Sequence, residues 1–391
     1  MIKLVSCVVP FFVIISYELL ADKSHADTGG DIESAIESAI ESVDTFYGTI
    51  SLAAMEHDQS QLLSSLLVNP AFNRLKHINQ YGPIQMVDSQ NNNNEPYSRY
   101  DHSLGVFYLL NRFGASFPEQ VSGLLHDLPH STFSHVSDYL FSDSSAGNPD
   151  YHDSQFIQFV NSYNIAPILN RYRLSPEMID PKNNPSFTRL ERPLPDLAAD
   201  RLDYIVQGAA RRKKLTDQQV GTILADLFFD PLSKHWYFRS QESARLTADA
   251  SIELNRHIFV TAWGRVLYLW TAEALKQLVM TGELQPDDLF FTMGDDQVWQ
   301  KIHQSTLPAV RILAAQMLTA WHKVHEVTQP GANTITFENV RCRIVDPRVV
   351  TTRCGNRVTG WLRVSDIDPA FRDRYLTELK RCQLFYAEIE P

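Results

Sequence analysis

Histidine and aspartate residues concentrate in two short stretches of the chain. Residues 97–106 read YSRYDHSLGV, and residues 124–135 read LLHDLPHSTFSH. Imidazole and carboxylate are the side chains that bind divalent cations of borderline and hard character. One buried histidine is usually a satisfied core residue, but five of the 13 histidines lie between residues 102 and 152. Packing alone does not explain that density, so the pattern predicts a metal centre.

His126 and Asp127 are the first candidate ligands, because they directly follow the apolar run 121–125. Adjacent residues of a helix point about 100° apart, so these two can share one cation only with ligands from elsewhere. His102, on the preceding predicted helix, can supply one such ligand. Asp200 is the best further candidate, since it lies in a helical segment among small residues that let helices approach closely.

A mainly helical body must position these residues. Apolar residues recur at helical spacing in residues 62–67, 108–113, 121–125 and 252–280. Breaks that contain proline interrupt the pattern at residues 69–70, 81–83 and 181–185, and residues 91–94 form a polar loop. We therefore predict a helical body over residues 44–305 and a helical linker over residues 306–330.

The pattern changes after residue 331. Residues 334–344, 349–354 and 357–364 are rich in β-branched side chains and broken by Asp-Pro and Gly-Asn, which is typical of short strands and turns. Residues 371–382 have a helical pattern, and residues 384–389 have the pattern of a last strand. The predicted fold is thus mainly α, with a small α+β appendage over residues 331–391.

The first 26 residues have the features of a targeting segment. Lys3 precedes an apolar stretch over residues 4–15, and residues 24–26 offer a small-x-small cleavage site. We predict a signal peptide over residues 1–26 and export to the periplasm or the medium. The alternative is an uncleaved hydrophobic helix or a misassigned start codon, with a cytoplasmic protein. Isoleucines at every fourth position then predict an N-terminal helix over residues 27–43.

Composition and charge narrow the functional classes. The 391 residues are 44% hydrophobic and 21% charged, which is typical of a globular protein. A net charge of −11 argues against a general nucleic-acid surface. No internal segment approaches the ~20 apolar residues of a membrane span. Cys342 and Cys354 flank a short turn and could pair in an oxidising compartment; the alternative is that both, with Cys382, are unpaired thiols.

Several motifs resemble the HD superfamily of metal-dependent phosphohydrolases. Within it they are similar to the vertebrate sterile-alpha-motif HD deoxynucleotide triphosphohydrolase and its bacterial relatives. The matching segments are residues 46–50, 69–82, 99–106, 126–138, 151–154, 200–204 and 294–296. They follow the family's order over residues 44–305, which makes the resemblance specific. It implies an HD-domain helical bundle, a nucleotide or other phosphoester substrate and a homo-oligomer.

The resemblance also implies a role for each of several side chains. One divalent metal (Mg, Mn, Fe, Zn or Ni), with a second in some members, would be held by His102, His126, Asp127 and Asp200. Catalytic roles in acid catalysis and in closing the pocket fall to His130, His135, Asp138, His152 and Asp153. Among these, His135 paired with Asp138 is the first candidate for the acid, and His130 is the second. Substrate contacts to phosphate or sugar fall to Gln80, Arg99, Arg201 and Tyr204.

The chain departs from the family pattern at several positions. Pro129 and Thr132 replace a glycine and a proline beside the metal, and Asp153 replaces a glutamate. Gly208 replaces an acid that contacts the sugar, and Val68 replaces an acid of the activator site. From the resemblance we therefore expect the family's metal site in this chain. The resemblance supports deoxynucleotide specificity only in part, and it gives poor support for activation by guanine nucleotides.

We expect hydrolysis of a deoxynucleoside triphosphate to the deoxynucleoside and triphosphate. The first alternative is another phosphoester, such as a nucleoside monophosphate or a cyclic nucleotide. The second is a protein that binds nucleotide without turnover, and the third is a di-iron oxygenase on the same helical scaffold. The sequence contexts of His102 and His135 favour the hydrolase.

Overall fold

The computed structural model describes residues 40–91, 94–140, 154–355 and 357–390, with the backbone alone at residues 89–91. Helices form most of this part of the chain. They are α1 (His57–Val68), α2 (Pro70–Arg74), α3 (Pro83–Asn91), α4 (Arg99–Arg112), α5 (Phe117–Leu125), α6 (Val136–Leu140), α7 (Phe156–Ser162), α8 (Ile165–Arg171), α9 (Pro176–Ile179), α10 (Ala199–Arg211), α11 (Asp217–Asp226), α12 (Gln241–Leu254), α13 (Ala262–Met280), α14 (Asp295–Gln304), α15 (Pro308–Thr319), α16 (Val364–Ile367) and α17 (Pro369–Gln383). Short 3-10 turns lie at Leu75–His77 and Trp321–Lys323, and π-helical turns lie at Asn255–Phe259 and Asp288–Thr292.

Three small sheets accompany the helices. Their strands are β1 (Ser42–Thr45), β2 (Gly48–Ser51), β3 (Leu227–Asp230), β4 (His235–Phe238), β5 (Val324–Val327), β6 (Thr334–Glu338), β7 (Arg348–Cys354), β8 (Arg357–Arg363) and β9 (Leu384–Ile389). β1 and β2 form a hairpin, a four-stranded sheet has the order β3-β4-β7-β8, and a three-stranded sheet has the order β5-β9-β6. No helix in the described part of the chain is long and apolar enough to cross a membrane.

Local sequence signals begin the helices that matter for the site. Ser98 and Asp101 form a capping box at the start of α4, with the Ser98 side chain accepting a hydrogen bond from the Asp101 N–H. At the start of α5 the Ser116 side chain accepts a hydrogen bond from the Glu119 N–H, and Pro118 lies in the first turn, where a missing N–H costs nothing. α4 packs against both α5 and α10, which brings the two histidine-containing stretches beside residues 199–211.

Two large hydrophobic clusters form the core. One packs α1, α2 and α5 against α4 through residues such as Leu63, Phe72 and Leu124. The other joins Leu202 and Leu267 of the helical body to Phe371 and Phe385 near the C-terminus. The second cluster therefore crosses the predicted boundary between body and appendage.

The predicted C-terminal α+β region shares its sheets and its core with the helical body. A hairpin, β3–β4, lies inside the body that was predicted to be helical, and β4 pairs in parallel with β7 at Phe238 and Val349. The predicted helical linker ends in β5, which pairs with β9. Strands from both regions thus share sheets, because each short hairpin alone would leave an apolar face exposed. The fold is mainly α with a C-terminal α+β region that is part of the same body.

Two predicted helices are also corrected. Of the predicted helix over residues 27–43, residues 42–43 belong to β1, and residues 27–39 lie outside the described residues, as does the signal peptide. The predicted helix over residues 252–280 is divided by a π-helical turn and by non-helical backbone at Val260 and Thr261, where Thr261 is extended. Thr261 then starts α13 anew, since its hydroxyl accepts a hydrogen bond from the Gly264 N–H.

The cysteine pairing differs from the prediction. Cys342 forms a disulfide with Cys382, at a Cα–Cα distance of 5.6 Å, and Cys354 is exposed with a free thiol. The two cysteines are 40 residues apart in sequence. They meet because Cys382 lies in the last turn of α17, which ends beside residue 342. Cys354 lies at the far end of β7, so Cys342 and Cys354 do not pair although they are closer in sequence.

Candidate metal centre and adjoining cleft

His102 and His126 come from two helices that pack against each other. His102 lies in the first turns of α4, and His126 is the residue that ends α5. His126 uses Nδ1 to donate a hydrogen bond to the Gly123 carbonyl oxygen, at 2.7 Å. Its Nε2 then lies 3.2 Å from Nε2 of His102. Two ring nitrogens are thus aimed at one point between α4 and α5.

Asp200, in the first turn of α10, completes a compact group of ligand atoms. Its Oδ1 lies 3.0 Å from Nε2 of His102 and 3.6 Å from Nε2 of His126. These three ligand atoms all lie within 4.8 Å of one another, a spacing that fits coordination of one metal ion.

Asp127 lies at the edge of this group. Its Oδ2 is 3.7 Å from Nε2 of His102, and its Oδ1 is 3.5 Å from Nε2 of His126. The Arg99 guanidinium donates a hydrogen bond of 2.9 Å to Oδ2 and so fixes the carboxylate. The structure therefore brings together all four predicted ligands, and Arg99 is the group that orients one of them.

Asp203 is a functional residue to which the sequence assigned no role. Its buried carboxylate accepts a hydrogen bond of 2.6 Å from Nδ1 of His102 and another of 2.6 Å from the Tyr97 hydroxyl. A carboxylate behind a metal-binding histidine fixes the ring tautomer and makes the other nitrogen a better ligand. Asp203 lies one turn after Asp200 on α10, and this spacing is the signal that could have identified it.

Gly105 provides the space for that carboxylate. A Cβ atom at residue 105 would lie 1.9 Å from Oδ1 of Asp203 and 2.6 Å from its Cγ. Such contacts are far shorter than van der Waals distances, so α4 and α10 can approach in this way only with glycine at residue 105.

The charges of the centre are strongly coupled. Burial alone would lower the pKa of His102, but hydrogen bonds with Asp200 and Asp203 raise it to about 10. Burial would raise the pKa of Asp127, but Arg99 and the two histidines lower it well below its usual value. Burial would likewise raise the pKa of Asp200, yet its hydrogen bonds with His102 and His126 hold it well below its usual value. The carboxylates are therefore ionised and the centre attracts positive charge.

The donor set fits a divalent cation. With Nδ1 of each histidine committed to an oxygen acceptor, both Nε2 atoms are directed at each other and at Asp200. Converging lone pairs repel unless a proton or a cation lies between them. Imidazole with carboxylate is a ligand mixture that suits Mn, Fe, Zn or Ni, so the residues fit the predicted metal without selecting one.

A cleft of about 980 Å³, including its open mouth, adjoins the centre. Five predicted site residues line it: Gln80, Arg99, His135, Asp138 and Tyr204. His135 Nδ1 lies 3.0 Å from Oδ2 of Asp138, as the predicted acid pair requires. His130 connects this pair to the metal centre, since its Nδ1 lies 3.2 Å from Oδ1 of Asp127 and its ring centroid is 5.0 Å from that of His135.

The structure does not bring Arg201 to the cleft. Its guanidinium donates to the carbonyl oxygens of Asp196, at 2.7 Å, and Arg192, at 2.6 Å. These bonds fix the segment before α10, so the predicted phosphate contact is corrected to a structural one. His152 and Asp153 lie outside the described residues, and their predicted roles stay predictions.

Three further arginines line the cleft, where the sequence predicted contacts with phosphate. Arg265 of α13 and Arg341 and Arg343 of the C-terminal region line the cleft with Arg99. Nothing in the local sequence around residues 341–343 indicates a site, because only the packing of residues 339–345 on α12 brings them there. Aromatic and aliphatic side chains, among them Tyr81, Tyr204 and Phe259, form the other walls.

The loop between Asp127 and α6 has a constrained backbone. Phe133 and Ser134 have φ values of 59° and 55°, in the left-handed region that non-glycine residues rarely adopt. The buried Asp295 side chain accepts hydrogen bonds from the Phe133 N–H, at 2.6 Å, and the Asn79 N–H, at 2.9 Å. Asp295, at the start of α14, therefore fixes the loop that carries His130 and His135.

A profile of the HD domain matches residues 99–205, which contain all four predicted ligands and Asp203. The metal-dependent phosphohydrolase cns2 of Cordyceps militaris is 28% identical to this chain over 226 residues, covering 55% of this chain and 61% of that protein. Residues 99–205 of this chain are an HD domain, as the sequence motifs predicted.

Other relatives of this HD protein extend the comparison. The uncharacterized protein YdhJ of Bacillus subtilis is 27% identical over 294 residues, covering 75% of this chain and 86% of that protein. The deoxynucleoside triphosphate triphosphohydrolase SAMHD1 of Homo sapiens is 32% identical over 136 residues, covering 30% of this chain and 21% of that protein. The chain thus spans about a fifth of the length of SAMHD1, and the likeness is confined to part of each protein.

A solved structure shares the fold beyond the HD domain. The crystal structure of a phosphohydrolase from Bacteroides thetaiotaomicron has a TM-score of 0.64 and 15% identity, covering 90% of this chain and all of that chain. At this identity the comparison concerns the fold alone. Because 90% of this chain is covered, the shared fold extends beyond residues 99–205.

Proposed function

We propose that this protein is a metal-dependent phosphohydrolase that acts on nucleotides, with deoxynucleoside triphosphates as substrates and the deoxynucleoside and inorganic triphosphate as products. One observation carries the proposal: a single cleft beside the metal centre combines arginines with aromatic walls. Guanidinium groups match the geometry of phosphate oxygens, and aromatic faces stack on bases and sugars. The name of the relative SAMHD1 supports the same substrate class.

We assign a separate role to each group of residues in the site. His102, His126, Asp127 and Asp200 would hold the metal, which when bound polarises a phosphoryl oxygen and lowers the pKa of water. Arg99 holds Asp127 in place, and Asp203 holds His102. Gln80 and Tyr204 lie in the cleft wall, where they can contact the sugar.

The reaction requires a proton at the leaving oxygen. Water attacks the α-phosphorus, a new P–O bond forms, and the bond between that phosphorus and the 5′ oxygen breaks. We assign proton donation to the 5′ oxygen to His135, whose Nδ1 faces Asp138 and whose ring borders the cleft. A carboxylate behind the imidazole favours its charged form and so supports the acid role.

A product assay tests the proposal. The purified protein is incubated with Mn²⁺ or Mg²⁺ and with deoxynucleoside triphosphates, ribonucleoside triphosphates, monophosphates and cyclic nucleotides, and products are separated by chromatography. We expect deoxynucleoside and triphosphate. Hydrolysis of monophosphates or cyclic nucleotides alone would move the assignment to another phosphoester, and tight binding without turnover would make the protein a non-catalytic nucleotide binder.

Variants connect the activity to the site. His126→Ala is expected to abolish metal binding and hydrolysis with little change in the far-UV circular dichroism spectrum, since its ring packs at the end of α5 rather than in the core. His325→Ala, which changes an exposed histidine of β5, is the matched control and should retain both. Full activity of His126→Ala would overturn the ligand assignment.

We also propose export, which the predicted signal peptide and the Cys342–Cys382 disulfide both support. Disulfides persist in oxidising compartments and are rare in the cytosol. Fractionation of cells that express the full chain, followed by N-terminal sequencing, tests this. We expect a periplasmic or secreted protein that begins near Asp27, and a cytosolic protein that retains Met1 would overturn it.

A further inference from the structure

We propose that Arg341 and Arg343 bind the phosphates beyond the reacting one, and that this C-terminal pair makes the site selective for nucleoside triphosphates over monophosphates. The inference rests on the proposed nucleotide substrate. It assigns a substrate-binding role to a region that lies outside the HD domain match at residues 99–205.

A chain of contacts leads from the metal centre to this pair. Asp127 faces His130, the His130 ring stacks edge-on against His135, and the Arg343 guanidinium donates a hydrogen bond of 3.1 Å to Nε2 of His135. Arg343 also lies 5.7 Å from the ring centroid of Tyr204, a residue we place at the sugar. Arg343 is therefore next to the reacting position, and Arg341 lines the same cleft.

The charge of the pair is available to a ligand. Three other C-terminal arginines have carboxylate partners: Arg348 and Arg363 both contact Asp196, and Arg381 contacts Glu326. Among the described residues, no carboxylate lies within ion-pair distance of Arg341 or Arg343. Two guanidinium groups without a counter-ion in one cleft favour a multiply charged anion, which a triphosphate supplies and a monophosphate bound at the metal does not.

The backbone that carries the pair is firmly attached to the helical body. The N–H groups of Asn339 and Val340 donate to the carbonyl oxygens of Gln383 and Cys382, at 2.8 and 2.9 Å. The Arg343 N–H donates to Oδ1 of Asn255 at 3.1 Å, in the π-helical turn before α13.

The other end of the segment is fixed as well. The Val345 N–H donates to the Ser251 hydroxyl at 3.1 Å, and the disulfide fastens residue 342 between the two arginines. Because the backbone of this segment is already fixed at several points, ligand binding costs little additional conformational entropy there.

The contact between Arg343 and His135 connects phosphate binding to catalysis. An arginine only donates, so this hydrogen bond exists when Nε2 of His135 carries a lone pair and its proton is on Nδ1. A phosphate oxygen is a stronger acceptor for the guanidinium than a neutral imidazole nitrogen. Binding of the distal phosphates therefore draws Arg343 from His135. Nε2 can then take up a proton from solvent, which the Asp138 carboxylate at Nδ1 favours, and donate it to the leaving oxygen.

Binding and kinetic measurements on Arg341→Gln and Arg343→Gln test the proposal, with Arg372→Gln, an exposed arginine of α17, as the matched control. Inorganic triphosphate and phosphate are titrated by calorimetry, and kcat and KM are measured for a deoxynucleoside triphosphate and the corresponding monophosphate. We expect each cleft variant to weaken triphosphate binding by about 10-fold or more, and monophosphate binding by less than about 3-fold. Arg343→Lys should recover part of the loss, which shows that the variant fold is intact.

The outcomes separate this inference from the proposed function. Triphosphate affinity equal to that of wild type in both glutamine variants would overturn the inference, whether or not the enzyme hydrolyses nucleotides. Equal losses for triphosphate and phosphate would also overturn it, because the pair would then not select for chain length. A selective loss of triphosphate binding in a protein that hydrolyses no nucleotide would support the anion site and overturn the proposed reaction instead.

Discussion

The two histidines of the metal centre are each held by a hydrogen bond from the ring nitrogen that faces away from it. His126 donates to a backbone oxygen of its own helix, whereas His102 donates to the side chain of Asp203 on another helix. A main-chain acceptor cannot be removed by substitution, but a side chain can. Asp203 is therefore the point at which the orientation of a ligand can be tested without changing a ligand.

Asp203→Asn should lower metal affinity by about 10- to 100-fold, the range typical for groups that orient a metal-binding histidine. The amide keeps the size of the carboxylate but removes the charge that favours Nδ1–H of His102. Metal content after dialysis against a graded chelator series measures the effect. Asp217→Asn, at an exposed carboxylate of α11, should bind metal as wild type does, and an equal affinity of Asp203→Asn would contradict the role assigned to Asp203.

Gly105→Ala should disturb the same contact from the opposite side. The new Cβ would overlap the Asp203 carboxylate, so we expect a loss of about 1–3 kcal/mol in the free energy of unfolding, together with weaker metal binding. Gly221→Ala is the matched control, because nothing lies within 4 Å of a Cβ at that helical position. It should be neutral or stabilising by up to about 1 kcal/mol in urea denaturation. A Gly105→Ala protein as stable as Gly221→Ala would mean that α4 and α10 can separate freely.

The sequence was a good guide to residues that bind the metal and a poor guide to residues that support them. His102, His126, Asp127 and Asp200 lie in short motifs, so their types and order were enough to predict them. Arg201 lies in such a motif as well, yet its guanidinium turns toward carbonyl oxygens of residues 192 and 196. Arg343 belongs to no motif, because its place in the cleft depends on contacts of residues 339–345 with α12 and α17.

At the scale of elements, the start of α14 fixes a loop that lies far from it in sequence. Asp295 accepts two backbone hydrogen bonds, one from each of the segments that flank the cleft. Burial nevertheless raises the pKa of this carboxyl to about 7. Its proton is then bound more tightly in the folded protein than in the unfolded chain, where the pKa is near the ordinary 3.8.

This raised pKa gives a pH dependence with a defined sign. The stabilising contribution of protonated Asp295 is fully present below about pH 4 and is lost as the pH rises toward 7. The free energy of unfolding of wild type, relative to Asp295→Asn, should therefore fall between pH 5 and pH 8, by up to about 3 kcal/mol. Urea denaturation of both proteins across this range measures the difference. Asp373→Asn, at an exposed carboxylate of α17, should keep the wild-type slope. A difference that is constant with pH would show that Asp295 does not titrate there.

The segment that carries Arg341 and Arg343 is an element whose position depends on one covalent bond. Cys382→Ser removes the disulfide, and we expect a loss of about 2–4 kcal/mol in the free energy of unfolding. Triphosphate affinity should fall as well, because residue 342 is released between the two arginines. Cys354→Ser, which changes the free thiol, should alter neither quantity. Unchanged triphosphate binding in Cys382→Ser would show that the backbone hydrogen bonds alone position the arginines.

Elements with a strong local signal were predictable, and those that depend on distant partners were not. The apolar spacing of residues 108–113 and 121–125 predicted helix where α4 and α5 end, and β9 begins and ends where the pattern indicated. The β3–β4 hairpin was missed, because its four-residue strands are stabilised by a parallel partner more than 100 residues later in the chain. Cys382 was likewise not recognised as the partner of Cys342, since α17 lies between the two in the chain.

At the scale of the whole molecule, one continuous core connects the HD domain to the C-terminal region. Buried residues of α10 and α13 pack in the same cluster as Phe371 and Phe385, and Arg348 and Arg363 hold Asp196 just before α10. The four-stranded sheet takes two strands from each region. Truncation after the HD motifs would expose both this sheet edge and the apolar face of α12.

A single cooperative unfolding transition is therefore expected for the whole described chain. If the C-terminal region folded by itself, differential scanning calorimetry of the full chain would show a second transition. A chain truncated after residue 330 would then remain a stable, metal-binding helical body. We expect instead one transition in the full protein, and a truncated chain that is unfolded or aggregated. Asp196→Ala should lower the temperature of that one transition without splitting it, because it weakens the connection between regions that unfold together. Two transitions in either full-length protein would contradict a shared core and would make the C-terminal arginines a detachable part of the site.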